Sequence, residues 1–272
     1  MTCDDATISV MTPMQNMIFC LVLMAILIPD YIEERIRRQA TADLNIVPRS
    51  TPVVSFGNAE TARVATLGLN PSRVEFLDND GLLLEGPERR LATHESLGTR
   101  DLTGASLETV VQVFNDCNSY FERQPYWRWF KQLGPVLRAC GASYCDGSAC
   151  HLDLVQWATD PTWSKLRPAA IRKKLIAEDA KFLANQVQRA NLHLLLVNGS
   201  AVLRQLCRSM AYDLELEEIK SIEGYAKVPT RLFAGQIFGR VRVAAWSTNL
   251  QSSFGVTTEL RDELPNRITA IA

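Results

Sequence analysis

Four short apolar runs set the frame of the chain. Arg63 to Leu69 (RVATLGL), His151 to Gln156 (HLDLVQ), Leu192 to Val197 (LHLLLV) and Arg240 to Ala245 (RVRVAA) each read as a buried strand. Asn70-Pro71 stops the first, and Asn198-Gly199-Ser200 stops the third. Between the runs the period changes to that of a helix. Leu107, Val110, Val111 and Phe114 share one face within Ser106 to Tyr120, and Pro125 suits the first turn of a second helix. Pro168 to Ala190 predicts a long helix, and Ala201 to Met210 a shorter one. Apolar strands alternating with helices predict a three-layer αβα fold around a four-stranded parallel sheet. Such sheets bind ligands beyond the carboxyl ends of their strands. The loops at Asn70, Asp153, Asn198 and Trp246 are therefore where chemistry is expected.

The N-terminal region reads differently. Met17 to Ile28 (MIFCLVLMAILI) is apolar throughout, but a bilayer span needs about 20 such residues. Asp4 and Asp5 stand where a signal peptide would carry positive charge. The run is expected to be a buried element ended by Pro29, followed by an amphipathic helix over Tyr31 to Ala40. Residues 1–45 are read as a helical segment packed on a single α/β domain over 46–272.

Composition narrows the classes. With 29 basic and 30 acidic residues the net charge is −1, which excludes a bulk polycationic binder but not a local basic groove. The seven cysteines include no C-x-x-C. Cys140, Cys145 and Cys150 recur every five residues, as a cluster site or as three reduced thiols around a loop and strand; the second reading implies no metal and a cytoplasmic protein. No G-x-G-x-x-G, Walker loop or G-x-S-x-G occurs. Of the three histidines (His94, His151 and His193), His193 reads as a core residue and His94 as a candidate pocket residue.

The loop Gly68-Leu69-Asn70-Pro71-Ser72 resembles the first signature of the uracil-DNA glycosylase superfamily, a Gly-x-(Asp/Asn/Glu)-(Pro/Ala) turn after the first core strand. Taken alone this is also ordinary turn chemistry. The order of the other pieces strengthens the likeness. Tyr126 to Phe130, Ala142 to Tyr144 and the strand from His151 are similar to the middle of that fold, and Leu195 to Ala201 to its third-strand turn. Trp246 to Ser252 (WSTNLQS) stands where the family carries a His-Pro-Ser or Asn-Pro-Ser loop followed by an apolar wedge.

The resemblance implies a monomeric DNA glycosylase without cofactor or metal. It would extrude a base from DNA and hydrolyse its glycosidic bond, leaving an abasic site. Asn70 matches the residue that positions the attacking water; an Asn orients water by hydrogen bonds but is no base. The resemblance assigns Ser72, Phe76, Asp153 and Asn249 to the base pocket. It gives Ser247, Thr248, Ser252 and Ser253 to DNA phosphates and Leu250 to the wedge. For each of these an ordinary loop role stands beside the functional one.

Two departures bear on the substrate. Trp246 replaces the signature His or Asn, so the usual donor to the leaving base is missing, and Asn249 is the nearest substitute. Asp153 stands where uracil enzymes often carry an Asn. An ionised Asp only accepts, which suits the amino group of cytosine, and a protonated one donates to N3; the competing role is a loop cap or a partner for a nearby Arg. Ser72 is small where strict uracil enzymes place an aromatic that blocks C5. Together these point to a 5-modified cytosine, such as a glucosylated hydroxymethylcytosine in phage DNA, and hence to antiviral defence. Repair of uracil or mismatches, a non-catalytic nucleic-acid-binding module and an unrelated small-molecule enzyme remain the alternatives.

Overall fold

The computed structural model describes residues 28–223, 228–252 and 255–272. The apolar run 17–28 lies outside the described residues except for Ile28, and Ser253 also lies outside them. Among the described residues no helix is long and apolar enough to cross a membrane.

The four apolar runs form four parallel strands: β1 (Val64–Gly68), β2 (Ala149–Asp153), β3 (Leu194–Asn198) and β6 (Val241–Trp246). The sheet nevertheless has six strands and is mixed, in the order β2-β1-β3-β6-β5-β4. This corrects the four-stranded, all-parallel expectation. The added pair, β4 (Leu214–Ile222) and β5 (Thr230–Ile237), runs antiparallel on the far side of β6. β4 is mostly exposed, so its Glu- and Lys-rich sequence carries no apolar run to mark it. The second strand also begins two residues earlier than the apolar pattern indicates, and Leu154 to Gln156 belong to the turn that follows it.

Strand alternation divides the sheet into two faces. Ala65, Leu67, Leu195, Val197, Val243 and Ala245 point to one side. There they meet Leu183 and Val187 of the long helix α5 (Ala169–Arg189), and Val202, Leu203 and Leu206 of α6 (Ser200–Ser209). Val64, Leu194, Leu196, Ala244 and Trp246 point to the other side. This second face is covered by α1 (Asp30–Arg37), α2 (Leu107–Asn118), α4 (Gly134–Ala139) and α7 (Thr258–Thr269). Each of α2 and α7 starts at a side-chain cap, Ser106 accepting from the Thr109 N–H and Thr257 from the Leu260 N–H. The α/β expectation with helices on both faces matches this arrangement.

Helix α1 supplies a tie to the strand ends. Arg35 is buried and donates to Gln156 Oε1 and Asp179 Oδ2, each at 3.1 Å, while the Gln156 N–H donates to Asp179 Oδ2 at 2.8 Å. Gln156 Nε2 then donates to the Asp153 carbonyl at 2.8 Å. Burial lowers the Arg35 guanidinium to about 10, with Asp179 opposing the shift. The turn that follows β2 is thereby fixed from both helical layers.

Candidate active site

The last residues of the four parallel strands share one sheet face and one edge. Gly68 pairs with Asp153, Asn198 pairs with Trp246, and Leu67 beside Gly68 pairs with Val197 beside Asn198. The sequence-predicted loops thus gather at the carboxyl edge.

Asn70 is locked in place. Its Nδ2 donates to the Pro71 carbonyl at 2.9 Å, the Trp157 carbonyl at 3.1 Å and Thr159 Oγ1 at 3.2 Å. Two carbonyl acceptors around one nitrogen fix the orientation of the amide, so Oδ1 is the atom turned away from this anchor. The loop behind it is pinned as well: Leu154 N–H donates to the Gly68 carbonyl at 3.2 Å and Val155 N–H to the Leu69 carbonyl at 3.0 Å.

Asp153 is buried, and its Oδ1 has no hydrogen-bond partner. The contact nearest to one is His151 Nε2 at 3.5 Å. Among the described residues no Arg pairs with Asp153, so the ion-pair alternative does not hold there. Gly68 makes room for it: a Cβ there would meet Asp153 Oδ1 at 2.4 Å and His151 Nε2 at 2.8 Å. On the other side of His151, Nδ1 lies 2.7 Å from Thr66 Oγ1, which lies 2.6 Å from the Tyr144 hydroxyl. This chain is enclosed by rings. Phe130 packs edge-on against both Tyr144 and His151 at about 5.5 Å, and Phe56 lies 5.7 Å from His151.

Glu75 joins the same cluster. The 3₁₀ turn Arg73–Glu75 carries it under the loop, where it is buried and accepts from the Tyr120 hydroxyl at 2.6 Å. Burial pushes its carboxyl up to about 7; Tyr120 and Arg90 oppose the rise, and the nearby Asp153 charge adds to it. His151 and Glu75 are absent from the sequence-predicted site. His151 had a readable signal: it stands two residues before Asp153 on a strand and so shares its face. Glu75 had none, because a polar residue in a polar loop gives no sign of being turned inward.

The remaining expected residues are less uniform. Ser72 sits half-buried at the start of the 3₁₀ turn, bridged by its backbone to Thr159. Phe76 is buried in the core cluster. Trp246 is not a loop residue: it ends β6, is fully buried, and donates from Nε1 to Asn198 Oδ1 at 2.8 Å. Leu250 corrects the expectation of an exposed wedge. It is 2% exposed, lies in the core, and donates its N–H to Asn198 Oδ1 at 3.0 Å. Asn249 is exposed, and its Oδ1 accepts from Asn198 Nδ2 at 2.9 Å. Ser247 Oγ accepts from the Arg231 N–H, and Thr248 bonds Thr230 across to β5. Ser252 lines a groove beside Trp129 and Arg261. His193 is exposed at the foot of β3 rather than in the core.

A cleft of about 630 Å³ lies to one side and is lined by Asn45, His94, Arg100 and Trp157 among others. It borders the site through Trp157, whose carbonyl holds Asn70, and through Ile46, which bridges Thr159. His94 thus lines this cleft, which does not include Asp153. Cys140, Cys145 and Cys150 are free thiols, with Cys150 buried on β2 and Cys145 exposed. No family model matches the chain, and no curated protein matches it in sequence.

Proposed function

We propose that the protein is a DNA glycosylase acting at the carboxyl edge of its parallel strands, with a uracil-DNA glycosylase-like core. The observation that carries this reading is the orphaned Asp153 Oδ1. A buried acceptor without a partner costs roughly 1–3 kcal/mol, and such a group is retained where a ligand completes it. The amino group of a flipped cytosine is a donor of the right kind. Asn70, with its amide nitrogen anchored, is left with Oδ1 to accept from the attacking water. In the reaction the C1′–N bond breaks and its electron pair goes to the base. Water adds its hydroxyl to C1′, and the remaining proton ends on the base. Asp153 Oδ1 accepts from the exocyclic amino group of the departing base, and His151 Nε2 stands 3.5 Å from it. Ser72 leaves space beside C5, so the substrate we favour is a 5-substituted cytosine of the kind found in modified phage DNA, in a cytoplasmic defence role.

The test is to incubate the protein with DNAs containing uracil, cytosine or 5-substituted cytosine and to assay alkali-labile sites. Cleavage of the substituted cytosine, lost in Asn70→Ala, is the expected result. Asp153→Asn should lower it roughly tenfold to hundredfold, because the amide presents NH₂ where an acceptor is needed. Preference for uracil would overturn the base assignment but not the glycosylase. The burial of Trp246 and Leu250 favours a second reading, since that loop then offers no wedge and only Asn249 as a donor to the base. On that reading the chain binds nucleic acid without cleaving it, and no DNA in the panel would acquire alkali-labile sites.

A further inference from the structure

From the short helix α3 (Trp127–Phe130), we infer that a ridge beside the active site is a stacking platform for an unpaired nucleic-acid strand. Its sequence, Trp-Arg-Trp-Phe, holds three aromatic rings that a core would bury. Only Phe130 behaves that way: it is 1% exposed and packs into the rings around Tyr144 and His151. Trp127 and Trp129 remain 38% and 37% exposed, and they are the only large aromatics besides Tyr212 that are so open among the described residues.

The ridge separates two hollows. One, of about 480 Å³, is lined by Tyr126, Arg128, Trp129, Gln132 and Arg261 among others; the second, of about 150 Å³, by Trp127, Lys131 and Arg138 among others. Each hollow therefore has an indole and two cations, and neither is lined by a carboxylate. In a chain of net charge −1 this is a local concentration of positive charge. It answers the objection that the overall balance raises against a nucleic-acid ligand.

The platform is held rigid. The Tyr126 N–H donates to the Tyr120 hydroxyl at 2.9 Å, and that same hydroxyl donates to Glu75. The Arg90 guanidinium lies 5.8 Å over the Tyr126 ring, and Trp127 lies 5.7 Å from Phe121. Arg261 is fixed by Gln132 Oε1 at 2.6 Å and by the Leu250 carbonyl at 3.1 Å. Exposed indoles between cations are what an unpaired strand requires: π-faces for its bases and positive charge along its backbone. A closed duplex offers no base face, so the ridge favours single strands. Tyr120 and Leu250 connect the ridge to Glu75 and Asn198, which places the bound strand next to the carboxyl edge. DNA as the natural ligand rests on the function proposed above; binding to an unpaired strand does not.

The experiment titrates the protein with fluorescein-labelled oligothymidylate, following anisotropy together with quenching of intrinsic tryptophan fluorescence, over a series of salt concentrations. The expected result is saturable binding with quenching. Trp129→Ala and Trp127→Ala should each weaken it roughly five- to a hundredfold, while Trp129→Phe retains most of it. Arg128→Ala, a change at an exposed side chain, should reduce the slope of log affinity against log salt by about 0.7. Unchanged affinity in the Trp129 and Arg128 variants overturns the inference, as does equal binding of a blunt duplex. Absence of binding accompanied by self-association that Trp129→Ala abolishes also overturns it and assigns the ridge to a protein contact. Binding without abasic-site formation would instead remove the proposed glycosylase and leave the platform standing.

Discussion

The carboxyl edge of the sheet has two halves built from the same strand chemistry and finished in opposite ways. At the β3–β6 half, Asn198 is the hub of a network that uses both its amide oxygen and its amide nitrogen twice. Its Oδ1 accepts from the Trp246 indole and the Leu250 N–H, and its Nδ2 donates to Asn249 and Gln251. At the β1–β2 half, the equivalent burial leaves Asp153 Oδ1 without a partner and raises the Glu75 carboxyl. The first half is finished but for Gln251 Nε2, whereas the second leaves a carboxylate oxygen unbonded and a neighbouring carboxyl raised. Burial alone therefore does not mark a site; a buried carboxylate oxygen left without a donor is the sharper signal.

The sharpest way to break this contrast is to remove one polar group from each half. Asn70→Ala should lower abasic-site formation by about a hundredfold or more, because it removes orientation in the transition state, well beyond the roughly 1–3 kcal/mol of stability its own hydrogen bonds supply. A variant with unaltered turnover would dissolve the functional half of the comparison. Leu250→Ala belongs to the finished half and should behave as a core truncation. A loss of about 2–5 kcal/mol in urea denaturation is expected, against the near-zero loss of an exposed wedge.

Glu75→Gln sharpens the contrast through pH. The folded protein holds this carboxyl at about 7 rather than 4.5, so it favours the neutral form. The resulting stability is complete below the ordinary carboxyl range and is lost as pH rises through about 7, an effect of about 3 kcal/mol. Gln keeps an acceptor for Tyr120 but does not ionise. The variant should lack this decline and exceed wild type in stability above neutral pH, as read by denaturation midpoints across the range. The smallest effect is expected from Asn198→Ala, which orphans the Trp246 and Leu250 donors. A cost of about 1–3 kcal/mol should appear as a lower melting temperature.

The sequence was legible where physics leaves a one-dimensional trace. Strands buried on both faces must be apolar throughout, so β1, β2, β3 and β6 announce themselves, and Asn70-Pro71 marks where the first one stops. Asp153 stood out as a carboxylate inside such a strand. The β4–β5 pair left little trace, since Leu214, Leu216 and Ile222 alternate with charged residues on a strand with hardly a buried face. Leu250 was misread for a related reason. It sits in a polar loop, yet it belongs to the main core cluster and bonds Asn198, 52 positions away in sequence. Glu75 is the converse, a loop carboxylate carried inward by one turn of 3₁₀ helix.

The β4–β5 pair has one more consequence, for what happens at the sheet's open border. A lone β6 edge would expose unpaired backbone groups immediately beside Trp246 and its loop, inviting another strand to add there. Two antiparallel strands move that border roughly 10 Å outward. The outermost strand then presents Glu215, Glu217, Glu218 and Lys220 along its length, and this charged fringe discourages continuation of the ladder. Strand addition, where it occurs at all, is thereby kept two strands away from the residues that the site uses.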